Sequence, residues 1–491
     1  MREAAATARF QAKADPIVDA NGDERRRTVR RRDHEQTIRE RGVLNRNVEL
    51  IQNFLRLVLV FMGDSKLSSI WQTNGSAERS EIDCSVQVRA PGKTVRITHY
   101  AFGKGIRVQI LFTALLGLIA FLWILATIEI VNGINSLPNL ADMEPLGNSE
   151  CPSVSILVSA RDEAVKLPGA LVTLLALDYP NYEIVAVDDR SQDATTTILE
   201  SAARENPRLK YVRVNALPEG WLGKPHGLQQ AYENSIGEWL VFTDADVFFA
   251  PDLLRRSLAL ALKNGWDHLT LLGRVEMYGF FEKIAMTFFG FFFVMGSKPW
   301  RAQDAKASSY IGVGAFQLVR RSSYEAMGMH RRLRMEVVDD MKLGKLMKAS
   351  GARSGVAKAG TAVSVHWHDG VRNIVRGTTK NFFATTDFRL SLAVGRMIEL
   401  LMMFAFPVAA LFFVRGWALA FGGIAVALPA MIEASAAYEL GESPLLGLSY
   451  PIGALIFVWM LLRSTIVTLR QGGIVWRDTF YPLDQLRRGA V

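Results

Sequence analysis

The segment Leu240–Asp246 combines a run of apolar residues with two aspartates, Asp244 and Asp246, that lie one residue apart. The apolar run predicts a strand buried in a sheet, and the two-residue period of a strand directs both carboxylates the same way at its end. In open α/β sheets, ligands bind at the carboxyl ends of the strands. Two hard oxygen ligands at such a point suit Mg²⁺ or Mn²⁺ shared with a phosphate. An isolated pair of this kind also arises by chance as a polar strand end, so other motifs have to support it.

Strand-like and helix-like segments alternate between Ser153 and about Arg389. The predicted strands are Val154–Ser159, Glu183–Val187, Leu209–Val214 and Trp239–Thr243. The predicted helices are Leu167–Leu177, Ala194–Glu205 and His226–Ser235. This alternation is typical of an α/β domain with a mostly parallel, Rossmann-like sheet and crossover helices.

Long apolar segments flank this domain, and hydrophobic residues make up 49% of the 491 residues. Residues 108–131 are long enough for one transmembrane helix, and residues 397–469 contain three more apolar segments, which predict two or three transmembrane helices. The aromatic segment 279–297 is predicted to be a helix in the membrane interface, with a buried helix as the alternative. We therefore expect an integral membrane protein.

The two ends of the chain are basic. Residues 1–107 carry 20 basic and 13 acidic residues, a net charge of +7. They show little apolar periodicity and no nucleic-acid-binding motif, so we expect a largely disordered arm and no nucleic-acid partner. The tail, residues 470–491, is basic and amphiphilic, which suits a membrane surface. Two cysteines without a Cys-x-x-Cys pair support neither a disulfide framework nor a zinc site.

Membrane topology stays open at this stage. If the sheet domain is cytoplasmic, three carboxy-terminal spans place the basic tail outside and one amino-terminal span places the basic arm outside, both against the positive-inside tendency. Either one apolar segment is re-entrant or interfacial, or the charge bias is overridden.

Further charged residues lie where the predicted strands end. Asp162 follows the first strand, and Asp188 and Asp189 end the second. Such carboxylates can accept hydrogen bonds from a uracil N–H or from ribose hydroxyls, and they can equally cap helices. Lys224 lies on a Gly-rich turn before a helix, where it can bind a diphosphate together with the positive end of the helix dipole.

Two motifs follow later in the chain. Asp339 and Asp340 open a predicted helix, where both can act as caps or Asp340 can serve as a general base for an acceptor hydroxyl. Basic residues, among them Arg376, recur at helical spacing over 372–381. They lie just before the predicted membrane segments, and a basic collar that faces lipid headgroups is one interpretation of them.

Taken in order, these motifs resemble glycosyltransferase family 2, the large inverting class with a GT-A fold. The resemblance covers about residues 151–390 and is carried by Asp162, Asp188–Asp189, Gly223–Lys224, the Asp-x-Asp of Asp244 and Asp246, and Asp339–Gly344. With the flanking apolar segments and Gly377–Asn381, the sequence is most similar to membrane-bound lipid glycosyltransferases, such as ceramide glucosyltransferase and bacterial enzymes that glycosylate carotenoids or hopanoids.

The resemblance implies a UDP-sugar donor, a lipid acceptor, a Mg²⁺ or Mn²⁺ ion and a cytoplasmic catalytic domain at the bacterial inner membrane. The implied roles are uracil binding by Asp189, binding of the rest of the donor by Asp162, Asp188, Lys224, Asp244 and Arg376, metal binding by Asp246 with Asp244, and base catalysis by Asp340. Two positions depart from the family pattern. The usual Glu-Asp is Asp339-Asp340, and residues 373–377 keep Arg376 but lack the Gln and Trp of a Gln-x-x-Arg-Trp motif.

Two other functions remain as alternatives. A processive polysaccharide synthase uses the same kind of site but extends a polymer, and the few carboxy-terminal apolar segments and the missing Trp argue against it. A non-catalytic membrane adaptor that retains the fold is disfavoured by the intact series of charged motifs.

Overall fold

The computed structural model describes the backbone of residues 85–90, 93–98 and 104–491, with side chains from residue 108 onward. Most of the predicted arm over residues 1–107 therefore lies outside the described residues. Within its described part, strands β1 (Ser85–Ala90) and β2 (Lys93–Thr98) pair as an antiparallel hairpin. Helix α1 (Lys104–Ser136) follows and has 33 residues, so the apolar helix predicted over 108–131 extends further at both ends.

A mixed sheet of eight strands forms the centre of the next part of the chain. Its strands are β3 (Val154–Ala160), β4 (Tyr182–Asp189), β5 (Leu209–Val214), β6 (Trp239–Thr243), β7 (Val247–Phe249), β8 (His268–Val275), β9 (Gln317–Arg320) and β10 (Ser354–Val365). They lie in the order β5-β4-β3-β6-β9-β8-β10-β7. Strands β3 to β6 are mutually parallel, and β9 runs antiparallel to both β6 and β8. The predicted α/β class with a mostly parallel sheet is confirmed.

Helices cover both faces of this sheet, which is why its central strands are apolar along their whole length. All seven residues of β3 and all five of β6 are buried, a pattern expected of strands that are covered on both sides. The covering helices are α2 (Leu167–Leu175), α3 (Thr195–Glu205), α4 (Gly223–Glu233) and α5 (Leu253–Asn264). They coincide closely with the predicted helices, with α5 as an additional one.

The register of the paired strands determines where the motif residues lie. Ala160 of β3 lies opposite Asp188 of β4, and Val158 of β3 lies opposite Thr243 of β6. The loops after these three parallel strands therefore leave the sheet at one edge, here called the acidic edge. Asp162, Asp189 and Asp244 are all carried to this edge.

The remaining helices of the described residues include several that are long and apolar. Helix α6 (Phe280–Ser297) lies between β8 and β9, and α7 (Arg321–Ala326), α8 (Asp339–Ala349) and α9 (Gly370–Gly377) belong to the sheet region. Helices α10 (Leu390–Leu400) and α11 (Phe406–Ala410) are joined by one π-helical turn, and α12 (Trp417–Glu439) and α13 (Tyr450–Gln471) follow. The described residues contain five helical segments long and apolar enough to cross a membrane: Val108–Ser136, Phe280–Arg301, Leu390–Ala410, Trp417–Glu439 and Pro444–Gln471.

Three of these five segments run alongside one another. The Gln109 side chain donates a hydrogen bond to the Arg415 carbonyl at 2.8 Å, and Gly117 packs against Phe421, so α1 and α12 run in the same direction. The α10–α11 segment runs the opposite way between them, and the Trp123 indole donates to the Met403 carbonyl at 3.2 Å.

Helix α6 lies differently, across one end of these three helices. Near its start, Lys283 pairs with Glu442, just beyond the end of α12, at 2.7 Å. Just beyond its end, Lys298 pairs with Glu129 in the last part of α1, also at 2.7 Å. Since α1 and α12 run in the same direction, both ends of α6 are held at the same end of the bundle. The face of α6 toward the bundle is buried, with Phe288 fully enclosed.

The tail folds back onto the sheet domain. After α13, strands β11 (Gly473–Trp476) and β12 (Thr479–Pro482) form an antiparallel hairpin, followed by α14 (Leu483–Gly489). The tip of the hairpin reaches the acidic edge, because Arg477 contacts Asp189. The sequence predicts only a surface tail over residues 470–491, without this hairpin.

Candidate active site

The loops after β3 and β4 are tied to each other at the acidic edge. The backbone N–H of Gln192 donates to Asp162 Oδ1 at 2.7 Å, and the N–H of Asp162 donates to Ser191 Oγ at 3.1 Å. Asp188 accepts from the Ser191 N–H at 2.9 Å through Oδ1 and from the Thr196 hydroxyl through Oδ2. Both oxygens of Asp188 therefore hold the loop, and the roles of Asp162 and Asp188 toward a nucleotide stay predictions.

Asp189 is fully buried between two guanidinium groups. Arg190 Nε donates to Asp189 Oδ1 at 2.8 Å, and Arg477 Nη1 donates to Oδ2 at 2.8 Å. Burial alone raises the pKa of Asp189, but the two arginines outweigh it and hold the pKa below its ordinary value. Gly223 has to be a glycine here, because a Cβ atom would lie 2.2 Å from Asp189 Oδ2. The motif Gly223–Lys224 therefore packs directly against Asp189, the residue predicted to bind uracil.

Lys224 lies at the centre of a small cavity on the other side of this turn. Its Nζ is 2.5 Å from Asp244 Oδ1 and 4.0 Å from Asp339 Oδ1. Burial opposes its charge, yet Asp244, Asp339 and Asp340 together raise the pKa of Lys224 above its ordinary value. The cavity is lined by Lys224, Leu228, Phe242, Thr243, Asp244, Gly314, Gln317, His330, Asp339, Asp340 and Leu343. Three separate motifs of the sequence therefore meet in one place.

Asp340 is held in a fixed orientation by backbone groups. The Gly314 N–H donates to its Oδ2 at 3.1 Å, and the Met341 N–H donates to its Oδ1 at 2.7 Å. The Gly314 carbonyl in turn accepts from the Asp244 N–H at 3.1 Å, so the loop around Gly314 joins the two aspartates. Burial raises the pKa of Asp340, and it raises the pKa of Asp339 to about 6, although Lys224 opposes both shifts.

Asp246 lies beside Lys166, whose Nζ is 3.3 Å from Asp246 Oδ2. Burial, followed by repulsion from Asp244, raises the pKa of Asp246. Glu163 belongs to the same cluster, because burial and the charge of Asp246 raise its pKa to about 7. Among the described residues, no group of three or more His, Cys, Asp or Glu side chains has the geometry of a metal site.

Several charged residues at this edge were not singled out from the sequence. They are Lys166, Glu163 and Arg477. Arg376, which was singled out, lies exposed on α9, and its side chain makes no hydrogen bond or ion pair with any residue that the structure describes. Its role at a diphosphate stays a prediction. Lys380 lies four residues later, in the Gly377–Asn381 segment that supports the resemblance.

The family of this part of the chain follows from comparison with known proteins. Residues 155–328 match the sequence profile of Glycosyl transferase family 2. This segment is a family 2 glycosyltransferase domain. It includes Asp162, Asp188, Asp189, Lys224, Asp244 and Asp246, whereas Asp340 and Arg376 lie beyond the matched residues.

Several curated relatives have names that refer to a lipid or to a lipid-linked sugar. A beta-monoglucosyldiacylglycerol synthase of Trichormus variabilis is 32% identical over 183 residues, which are 36% of this chain and 37% of the relative. A 4,4'-diaponeurosporenoate glycosyltransferase of Staphylococcus haemolyticus is 22% identical over 47% of this chain and 60% of its own. The match to the first of these relatives thus spans little more than a third of the relative's length.

Among solved structures, a mannosyltransferase of Pyrobaculum calidifontis in complex with GDP-Man and Mn²⁺ is similar to this chain. It is 18% identical, with a TM-score of 0.44, over 73% of this chain and 98% of its own.

Proposed function

We propose that the protein is a membrane-bound inverting glycosyltransferase that transfers a sugar from a UDP-sugar to a hydroxyl group of a lipid. The observation that carries this proposal is the cavity at the acidic edge, where Lys224, Asp244, Asp339 and Asp340 meet. A cation beside a set of carboxylates provides both a ligand for a leaving diphosphate and a base for an attacking hydroxyl. The family 2 domain and the lipid-linked acceptors in the names of its relatives support the same class of reaction.

In this reaction Asp340 is the general base. Its carboxylate accepts two backbone N–H bonds, which fix its orientation, and each oxygen keeps a second lone pair for the acceptor proton. As that proton moves to Asp340, the hydroxyl oxygen attacks the anomeric carbon, and the bond to the diphosphate breaks with its electron pair on the leaving oxygen. A single displacement of this kind inverts the anomeric centre. General-base catalysis contributes about 10²- to 10⁴-fold to the rate.

The residues of the acidic edge fit a divalent cation. Asp244 and Asp246 are hard oxygen donors. Burial raises the pKa of Asp246, the charge of Asp244 adds to this shift, and a nearby positive charge would relieve the repulsion between the two carboxylates. Asp246, together with Asp244, would hold Mg²⁺ or Mn²⁺, and such an ion when bound stabilises the negative charge of the departing diphosphate. Lys166 already provides a positive charge beside Asp246.

A lipid acceptor would approach from helix α6. Lys166 links the carboxylate pair to this side, because its Nζ also donates to the His366 carbonyl at 2.5 Å. The next residue, Trp367, packs its ring against Phe289 of α6 at 5.2 Å between centroids. At the start of α6, Phe280 and Phe281 expose more than half of their surface. Exposed aromatic side chains of this kind favour the interface of a bilayer.

Connectivity decides which apolar helices can cross the membrane in this proposal. Helix α6 joins β8 to β9, which are neighbours in one sheet, so a single crossing by α6 would separate paired strands. Helices α10–α11 and α12 form one outward and one return crossing. A third crossing by α13 would carry the hairpin tip away from Asp189, which it contacts. We therefore propose that α1, α10–α11 and α12 span the bilayer, and that α6 and α13 lie in its interface.

This arrangement removes the topological conflict for the basic tail, but not for the basic arm that precedes α1. The sheet domain and the basic tail lie on the same side of the membrane, which we propose is the cytoplasm of a bacterium, where nucleotide sugars are available. Arg487 and Arg488 of the tail then follow the positive-inside tendency. The loop around Arg415 faces the opposite side.

A transfer assay tests the proposed function. Full-length protein in detergent is incubated with Mn²⁺ or Mg²⁺, total bacterial membrane lipid, and radiolabelled UDP-glucose, UDP-N-acetylglucosamine or GDP-mannose, and the products are separated by thin-layer chromatography. We expect one organic-soluble labelled band that is lost in Asp246→Ala. Asp252, which pairs with Arg256 on the surface of α5, provides the matched control Asp252→Asn. Label retained at the origin as polymer would favour a processive synthase, and nucleotide binding without transfer would favour an adaptor.

A further inference from the structure

The tip of the carboxy-terminal hairpin has an unusual backbone. Arg477 and Asp478 form its two-residue turn, and both have left-handed φ values, 51° and 59°. Turns of this type favour Asn-Gly or Asp-Gly, because other residues pay a steric cost at positive φ. Strained residues of this kind persist when the surrounding structure uses their side chains. The strained turn therefore indicates that its two side chains have a role in the surrounding structure.

Both side chains point into the acidic edge. Arg477 Nη1 donates to Asp189 Oδ2 at 2.8 Å, and Asp478 Oδ2 accepts from Arg161 Nη2 at 2.9 Å. Arg477 also approaches Ser159 at the end of β3, with Nη1 3.4 Å from the hydroxyl. The Arg477 side chain is largely buried, with 15% of its surface exposed. A residue 288 positions away in the sequence from Asp189 is thus part of the predicted nucleotide site.

Lys380 lies under the same hairpin and has no acidic partner in the described part of the chain. Its Nζ lies 4.5 Å from the centre of the Trp476 ring and 3.1 Å from Asn381 Oδ1. Burial and the neighbouring charges of Lys224 and Arg477 lower its pKa to about 8. By contrast, Lys224 is paired with Asp244 and Arg477 with Asp189. Within the described residues, Lys380 thus differs from Lys224 and Arg477 in having no carboxylate within ion-pair distance, although Asp339 and Asp244 lie close enough to favour its charge.

We propose that Lys380 and Arg477 bind the diphosphate of the donor, so that segments outside the family 2 domain complete its site. This inference rests on the proposed function. A diphosphate supplies the negative charge that Lys380 lacks, and the planar guanidinium of Arg477 suits two phosphate oxygens at once. When Arg477 turns from Asp189 to the phosphate, Asp189 Oδ2 becomes available to an N–H group of the base.

Binding measurements in the absence of acceptor test this inference. The full-length protein in detergent is titrated with UDP, GDP, inorganic pyrophosphate and UMP by isothermal titration calorimetry. We expect Lys380→Met and Arg477→Gln each to weaken binding of the diphosphates at least about tenfold, and to weaken binding of UMP much less. Arg477→Lys should restore part of the loss, because it returns the charge without the planar fork.

The matched control is Arg488→Gln. Arg488 lies in the same tail, is 73% exposed and pairs only with Asp484 of its own helix. Thermal unfolding of each variant separates loss of binding from loss of fold, and Lys380→Met tests the site without altering the hairpin turn. Wild-type affinity for UDP and pyrophosphate in Lys380→Met and Arg477→Gln would overturn the inference. Wild-type protein that binds no nucleoside diphosphate would instead overturn the proposed function itself.

Discussion

At the scale of single residues, Asp340 is the group on which the proposed chemistry depends most. Asp340→Asn keeps the size of the side chain but removes the proton acceptor, and its single amide oxygen can accept only one of the two bonds from the Gly314 and Met341 N–H groups. We expect turnover to fall by about 10²- to 10⁴-fold while UDP binding stays within about twofold of wild type. Steady-state kinetics with the labelled lipid product and calorimetry with UDP measure the two quantities. Unchanged turnover would remove Asp340 from the role of base.

The acid side of the pH–rate profile gives an independent test of the same residue. Burial raises the pKa of Asp340 above its ordinary value of 3.8, and that of its neighbour Asp339 to about 6. A raised pKa keeps a carboxyl protonated to higher pH, and protonated Asp340 cannot accept the acceptor proton. We therefore expect the acid-side fall in turnover at saturating donor to lie at a higher pH than the ordinary pKa of 3.8 would give.

Glu163 and Asp339 can also produce such a limb, because their pKa values are raised to about 7 and to about 6. The matched measurements are therefore the profiles of Glu163→Gln and Asp339→Asn, in which the limb should persist if Asp340 is its source. A limb at the ordinary aspartate pKa of about 3.9 would contradict the assignment.

At the scale of elements, the loop between α6 and β9 positions the two aspartates of the cavity. A Cβ atom at Gly314 would lie 2.6 Å from Asp244 Oδ2 and 3.4 Å from Asp340 Oδ2. Gly314→Ala should push Asp244 away from Lys224 and lower turnover at least about tenfold, because small displacements in a reactive site are costly. Gly395→Ala is the control, because a Cβ there meets no atom within 4 Å. Equal turnover in the two variants would show that the loop adapts.

The sheet and its motif-bearing loops were predictable from the sequence, and the hairpin was not. Each of Asp162, Asp189 and Asp244 follows an apolar strand directly, so local pattern and the rule for parallel strands suffice to bring them together. Asp340 could be named only by resemblance, because its approach to Gly314 depends on tertiary packing. Arg477 escaped notice because its Arg-Asp turn lacks the glycine that normally marks a tight hairpin. No local sequence pattern relates such a turn to Asp189.

At the scale of the whole molecule, the topology that we propose does not follow from the length of the apolar helices. Helices α6 and α13 are long and apolar enough to span, yet α6 joins two paired strands and α13 leads to the hairpin that contacts Asp189. In this proposal, strand pairing and the Arg477–Asp189 contact constrain topology more strongly than hydropathy does. The same two helices would then lie between the acidic edge and the bilayer, where a lipid hydroxyl and a soluble nucleotide sugar can reach one site.

Cysteine labelling of intact cells can test this topology. In a variant with Cys84 and Cys151 replaced by serine, single cysteines are introduced as Arg415→Cys, Glu200→Cys or Arg488→Cys. A membrane-impermeant maleimide should label the cysteine at 415 in intact cells, because the α11–α12 loop is on the outer side. The cysteines at 200, on the exposed side of α3, and at 488, in the tail, should react only after permeabilisation, because three crossings leave both in the cytoplasm. If α13 also crossed, position 488 would react in intact cells while position 200 would not, and that pattern would refute the interfacial placement of α13.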